Sequence, residues 1–347
     1  MASQLTEERI RELLSRVPYP GFTRDIVSFG IVRDVSLGDE AVVRLILTTD
    51  DHGIAKEIHS RVTEALAPTC GEFPLKVLVD VQAPVRSGTT GPVPIPGVRH
   101  VIAVASGKGG VGKSTLSVNL AAALASGGLS TGLCDCDLYG PSVALMCGAT
   151  ERPSADGEGR ILPVERHGLK LMSMGLLLED DSPAVLRGPM VTRYTQQFLR
   201  NVLWNVDGDL DVLVLDLPPG TGDIQLTVVQ TIPLTGAVIV TTPQEVALID
   251  ARKAVSMFQK TNVPILGILE NMSGFTAPDG TRHDIFGTGG GEREAKRLEV
   301  PFLGRLPIDP EFRIASDSGT PLAVSDPESP SVAPLRELAA RLASRLR

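Results

Sequence analysis

Lys113 and Ser114 close a G-x-x-x-x-G-K-[ST] pattern that begins at Gly107, within the run GKGGVGKST at 107–115. Glycines at 107, 109, 110 and 112 let a chain curl until successive backbone N–H groups point into one concavity, a shape that binds anions. The apolar stretch LSVNLAAALA follows at once, so the concavity also opens onto a helix N-terminus with its partial positive charge. In such a cradle Gly107, Lys108, Gly109, Gly110, Val111, Gly112, Lys113, Ser114 and Thr115 surround phosphate oxygens. Lys113 bridges the β- and γ-phosphates and the Ser114 hydroxyl faces magnesium. The expected ligand is a purine nucleoside triphosphate with Mg2+, read here as ATP.

Carboxylates stand nearby in the pattern. GLCDCDLYGPS carries Asp135 and Asp137, and VLVLDLPPGTGD carries Asp216 with Asp223 in the loop beyond. Phosphoryl transfer needs a metal held by hydroxyl and carboxylate oxygens and a group that orients the attacking water. A lone aspartate at a strand end ordinarily caps a helix or closes a turn. Aspartates closing apolar strands beside a phosphate loop favour the catalytic assignment.

These residues need a scaffold, and the apolar runs HVIAVAS, STGLCDCD, VLVLDLPP, GAVIVTT and ILGILENM supply it. Such runs suit strands buried on both faces of a parallel sheet. The expectation is an α/β fold: a doubly wound, mostly parallel sheet with its ligand site at the carboxyl ends of the strands, over residues 99–347. Ahead of it, residues 1–83 read helix, strand, strand, helix, strand, a small α+β domain. Its first helix places Ile10, Leu13, Leu14 and Val17 on one face. Residues 84–98, PVRSGTTGPVPIPGV, have the composition of a linker. No internal repeat of fixed period is found.

Composition narrows the partners. A net charge of -8 and 4% aromatic residues argue against a nucleic-acid surface. MASQLTEERIRELLSR is polar rather than a charged and apolar leader, and no apolar run reaches the length of a membrane span. A cytoplasmic location is expected, with Cys70, Cys134, Cys136 and Cys147 kept as thiols.

Lys108, directly after the first glycine, reads in isolation as a solvated charge. The pattern KGGxGK[ST], however, resembles the deviant P-loop of the septum-site, plasmid-partitioning, nitrogenase iron protein and arsenite-pump ATPases. That resemblance implies a homodimer in which Lys108 reaches the partner's nucleotide. It also implies that Asp216 holds the Walker B position near magnesium-bound water, that Asp135 lies in the metal's outer shell, and that Asp137 orients the attacking water. DCDLYGPS, RGPM at 187–190, DLPPGTGD, TTPQEVAL and ILENMSGF together resemble the Mrp/ApbC/Nbp35 family of iron–sulfur cluster carrier ATPases. DIVSFGIVRDV resembles part of that family's appended MIP18-type domain. The resemblance implies ATP-driven delivery of clusters to apo iron–sulfur proteins. By it Asn271 reads the adenine edge, while the bare sequence equally allows a strand-end cap.

The cargo ligands depart from the family pattern. A C-x-x-C pair is expected shortly after ENMS, but Ala277 stands at the first position and Asp279 nearest the second. A further cysteine expected after the LTT strand is absent from LTTDDHGIA. Cys134 and Cys136 flank Asp135 on a strand and read as small core residues rather than ligands. His283 and Asp284 read as polar surface near the missing motif. Iron–sulfur ligands therefore stay unassigned, and two other functions stay open: a cluster-free ATP switch that recruits a protein partner, and a positioning ATPase. The latter would use the terminal helix PLRELAARLASRLR, whose leucine stripe at 335, 338, 342 and 346 could lie on an anionic membrane or, as we expect, pack on its own domain.

Overall fold

The computed structural model describes residues 5–20, 25–27, 29–48, 52–71, 73–82, 92–138, 140–177 and 188–346, with only the backbone described for Thr48, His52, Gln82, 188–193 and Asp223. The described residues gather into two compact units: a smaller one of residues up to 82 together with 154–161 and Leu177, and a larger one of the remainder.

The smaller unit contains α1 (Glu7–Leu14), β1 (Val32–Leu37), β2 (Ala41–Thr48), α2 (His52–Cys70) and β3 (Leu75–Gln82). Thr6 caps α1 by accepting a hydrogen bond from the Arg9 N–H, and Glu7 and Glu8 complement the positive helix end. Ile10, Leu14 and Val17 are buried as their spacing requires, with Leu13 at the margin. β2 pairs antiparallel with β1 and parallel with β3. Alternate residues Val43, Leu45 and Leu47 meet Ile58, Val62 and Leu66 of α2 in the unit's core.

The larger unit opens with β4 (Val98–Ser106), α3 (Lys113–Ser126), β5 (Thr131–Asp135), α4 (Val143–Met146), β6 (Val164–Arg166), β7 (Leu169–Met172) and α5 (Gly188–Asn201). It continues through β8 (Leu210–Asp216), α6 (Asp223–Thr231), β9 (Gly236–Thr241), α7 (Glu245–Lys260), β10 (Ile265–Glu270), β11 (Phe275–Thr276) and β12 (Arg282–His283). It closes with α8 (Gly290–Arg297), β13 (Phe302–Arg305), α9 (Pro310–Asp317), α10 (Leu322–Ser325) and α11 (Ala333–Leu346). Of the expected linker, 84–91 lie outside the described residues, whereas Ile95 is buried and Val98 already belongs to β4. Arg187 of the RGPM motif and the 49–51 stretch after the LTT strand also lie outside them.

The main sheet runs β13-β10-β9-β4-β8-β5-β7-β6. Its described pairings are parallel except for the short antiparallel β6–β7 edge. From central β4 the chain steps to β5 and β7 on one side, returns to β8, and then builds β9, β10 and β13 on the other. That reversal makes a crevice at the carboxyl ends beside β4, where an open α/β sheet binds ligands. All residues of β5 and β9 are buried, which accounts for the lack of polar–apolar alternation along them. The terminal helix α11 buries Leu335, Leu338, Ala339 and Leu342, chiefly against α3. Its apolar stripe is covered by its own unit. Among the described residues no helix is long and apolar enough to cross a membrane.

Candidate nucleotide site

The glycine loop leaves β4 at Ser106, whose hydroxyl donates to the Lys108 carbonyl at 2.9 Å. A side chain at Gly107 would place its Cβ 2.1 Å from the carbonyl group of Asp250 on α7, so only glycine lets the loop pass this close to that helix. Gly112 has φ +81, and a Cβ there would also meet the Asn271 amide nitrogen at 2.3 Å. The loop is thus pressed between α7 and the end of β10, with Gly109 and Gly110 exposed at its crest. α3 begins at Lys113.

Lys113 and Asp216 are brought together. The ammonium donates to Asp216 Oδ1 at 2.6 Å and to Ser114 Oγ at 3.2 Å, with the lysine 6% exposed and the aspartate fully buried. Ser117, one helical turn beyond Lys113, donates to the same Asp216 Oδ1 at 2.6 Å. Asp216 Oδ2 is buried and has no hydrogen-bond partner among the described residues.

Asp135 and Asp216 are register partners at the ends of β5 and β8. Asp135 is heavily bonded. Its Oδ1 accepts from the Asp137 N–H at 3.0 Å, and its Oδ2 accepts from the N–H groups of Ser142 and Val143 and from the Ser173 hydroxyl. Burial and then the neighbouring Asp216 charge push its carboxyl up to about 7, against the pull of these donors. The aspartate therefore also builds the turn into α4, a task that the strand-end position alone allows. Asp137 is half-buried in that turn and accepts from the Gly140 N–H.

The loop after β8 folds over the crevice. Gly220 N–H donates to the Ser106 carbonyl, Leu217 N–H to that of Val104, and the buried Gln225 amide to that of Pro218. Asn271 sits at the opposite wall, and its side-chain amide donates to the Val111 carbonyl at 2.8 Å. It braces the phosphate loop, a contact that neither sequence assignment for this residue contained. Thr115 and Lys108 are partly exposed on the loop's open side, and the Thr115 carbonyl accepts from Asn119, whose amide oxygen in turn accepts from the Ala323 N–H.

A hard dication prefers oxygen ligands, and Ser114 Oγ with the buried, unpartnered Asp216 Oδ2 offers two in one crevice. The donor set fits magnesium.

The expected cargo region is built differently. Residues 275–283 form the β11–β12 hairpin, closed by Ala277 N–H donating to the Thr281 carbonyl and by Asp279 accepting from the Thr281 N–H. The Thr281 hydrogen bonds hold the Asp279 carboxyl below the usual carboxylate range. His283 and Asp284 are exposed. Buried Glu270 anchors the segment: it accepts from Ser273 Oγ and from the N–H groups of Gly289 and Gly291 at the start of α8. All four cysteines are buried, and burial is the first cause raising Cys70 and, to about 12, Cys147. The Cys136 thiol is raised by its contact with Cys134 and by burial. Among the described residues no group of three or more His, Cys, Asp and Glu could hold a metal ion. The residues present do not fit a thiolate-bound cluster.

The sheet order, the glycine loop and the Lys113–Asp216 contact at the β8 end define a P-loop NTPase of the MinD/ParA fold. The cell-division ATPase MinD of Pyrococcus furiosus shares that fold at a TM-score of 0.55, with 22% identity over 71% of this chain and 99% of that one. Within this class the chain belongs to the ParA family described as NUBPL iron-transfer P-loop NTPase, whose model matches residues 97–343. The iron-sulfur cluster carrier protein of Deinococcus radiodurans is 46% identical over 96% of this chain and 93% of its own length. A nucleotide-binding protein of Archaeoglobus fulgidus, solved in complex with ADP, has a TM-score of 0.58 and 37% identity over 68% of this chain and 91% of that one.

Proposed function

We propose that this chain binds and hydrolyses ATP as a homodimer and carries iron–sulfur clusters to apoproteins. The observation that carries the ATPase part is the buried convergence of Lys113 and Ser117 on Asp216 beneath the glycine loop. In this reading the backbone of 107–115 receives the triphosphate, and Lys113 exchanges Asp216 for the β- and γ-phosphates. Ser114, with Asp216 and Asp135 through water, would hold magnesium, which supplies neutralisation of charge on the phosphates. Asp137 orients the attacking water. Lys108 serves the partner subunit's nucleotide, so turnover requires the dimer. Asn271 supports the loop through Val111 and contributes to base recognition.

Cluster carriage rests on family membership, because the described thiols are buried and the hairpin carries Ala277 and Asp279. The test is anaerobic reconstitution with iron and sulfide, followed by gel filtration, visible absorption and transfer to an apo-acceptor. Absorption that co-elutes with the protein and moves to the acceptor supports carriage; colourless protein and an unloaded acceptor refute it. The same missing ligands favour a second reading, a cluster-free switch whose ATP-bound dimer recruits a protein partner. It requires ATP-dependent capture that survives replacement of all four cysteines by alanine, and loss of capture in that variant would sink it.

A further inference from the structure

We infer that Ser117 is a positioning residue for magnesium: its hydroxyl fixes the carboxylate of Asp216 so that Oδ2 faces the metal's water shell once Lys113 has turned to the phosphates. The inference rests on the nucleotide-site reading above.

Ser117 is fully buried in α3, within the run LSVNLAAALA, where alanine would serve the helix better and an unbonded hydroxyl would be costly. Its oxygen lies 3.0 Å from the Lys113 carbonyl and 2.6 Å from Asp216 Oδ1. One hydroxyl proton serves one acceptor well, and the shorter contact to an ionised oxygen is the stronger. The neighbouring helical carbonyl limits how far the hydroxyl can swing.

Asp216 Oδ1 has two donors, Lys113 and Ser117, while Oδ2 has none among the described residues. When the triphosphate draws Lys113 away, Ser117 is the donor that remains on Oδ1. A carboxylate pinned through one oxygen cannot rotate freely, so its second oxygen keeps its direction. Outer partners of this kind orient metal-binding groups and tune affinity. Ser114 Oγ accepts from the Lys113 ammonium and would be a magnesium ligand itself, whereas Ser117 donates to Asp216 Oδ1 and would act on the metal only through that carboxylate.

The test compares full-length wild type with S117A and with the isosteric pair S117T and S117V. Affinity for a fluorescent nonhydrolysable ATP analogue is measured across a magnesium titration and in EDTA. Wild type should bind more tightly as magnesium rises. S117A and S117V should need about tenfold more magnesium for the half-maximal effect, equivalent to about 1.4 kcal/mol, the scale of one hydrogen bond. Their affinity in EDTA should stay within about twofold of wild type, and S117T should restore the magnesium midpoint. Thermal melts establish that each variant is folded, and if S117A does not fold the T/V pair decides alone. An unchanged magnesium midpoint in the hydroxyl-free variants overturns the inference. Equal weakening with and without magnesium also overturns it, because Ser117 would then support the loop. Wild type that binds no analogue at any magnesium concentration instead refutes the nucleotide reading beneath it.

Discussion

The phosphate loop and the 275–283 hairpin lie on the same unit but are held in opposite ways. The loop is wedged between Asp250 and Asn271, and its lysine is tied to a fully buried aspartate. The hairpin is an exposed turn held by backbone bonds and the Asp279 cap. In the first region residue identity is dictated by neighbours on α7, on β8 and at the end of β10; in the second, turn chemistry alone suffices. Nucleotide chemistry is therefore built into the packing, whereas the hairpin is held chiefly by its own backbone and one turn cap.

The sharpest way to break this contrast is at Lys113. Lys113→Ala should weaken ATP binding by at least about a hundredfold, the loss of several charge-assisted hydrogen bonds. It also leaves Asp216 as an uncompensated buried charge, at a cost of roughly 3 kcal/mol to the nucleotide-free chain. Adding Asp216→Asn should recover most of that stability in denaturant melts without recovering binding. A single variant that still binds ATP within about threefold of wild type would refute the role of Lys113.

Asp137→Ala should leave ATP affinity near wild type and lower turnover by about 10²- to 10³-fold, the usual range for losing a group that positions a proton acceptor. Phosphate release under saturating ATP measures this, and undiminished hydrolysis refutes the assignment. The effect sharpens the comparison because Asp137, unlike Asp135 and Asp216, is only half-buried.

Much of the loop side could be read in the sequence. The glycine pattern, Lys113, Ser114 and the strand-end aspartates are local signals, and the five apolar runs became β4, β5, β8, β9 and β10. The short strands β6, β7 and β13 lack long apolar runs and form because the sheet offers them an edge. Contacts across the fold were also hidden. Asn271 meets Val111 across 160 positions and Ser117 meets Asp216 across 99, distances at which no periodicity speaks. Ser117 did leave a trace, as a hydroxyl one turn after Lys113 among the apolar residues of α3. Glu270 left none, because apart from the Ser273 hydroxyl its partners are distant in sequence: the N–H groups of Gly289 and Gly291 and the Arg305 guanidinium.

Asn271 tests the seam between the two regions, since it directly follows β10 and begins the segment that leads to the hairpin. Asn271→Ala removes the Val111 contact and should weaken ATP binding by about five- to tenfold, one hydrogen bond's worth. Competition with GTP separates its two duties. If the residue only braces the loop, ATP and GTP affinities fall together; if it also reads the base, the preference for ATP narrows. Binding unchanged for both nucleotides would refute each duty.

The smallest effect belongs to the hairpin. Asp279→Ala removes the cap on the Thr281 N–H but touches nothing in the phosphate site. ATP affinity and turnover should stay within about 1.5-fold of wild type, as expected for a surface position away from the chemistry. The cap itself should show in pH. A carboxyl held below its unfolded value contributes stability above that unfolded value and loses it as pH falls through the folded one. Wild type and Asp279→Ala should therefore differ in thermal midpoint near neutral pH and converge in acid, with the gap small because the turn is exposed. A large fall in ATP turnover in this variant would show that hairpin and loop are coupled, and the separation drawn between them would fail.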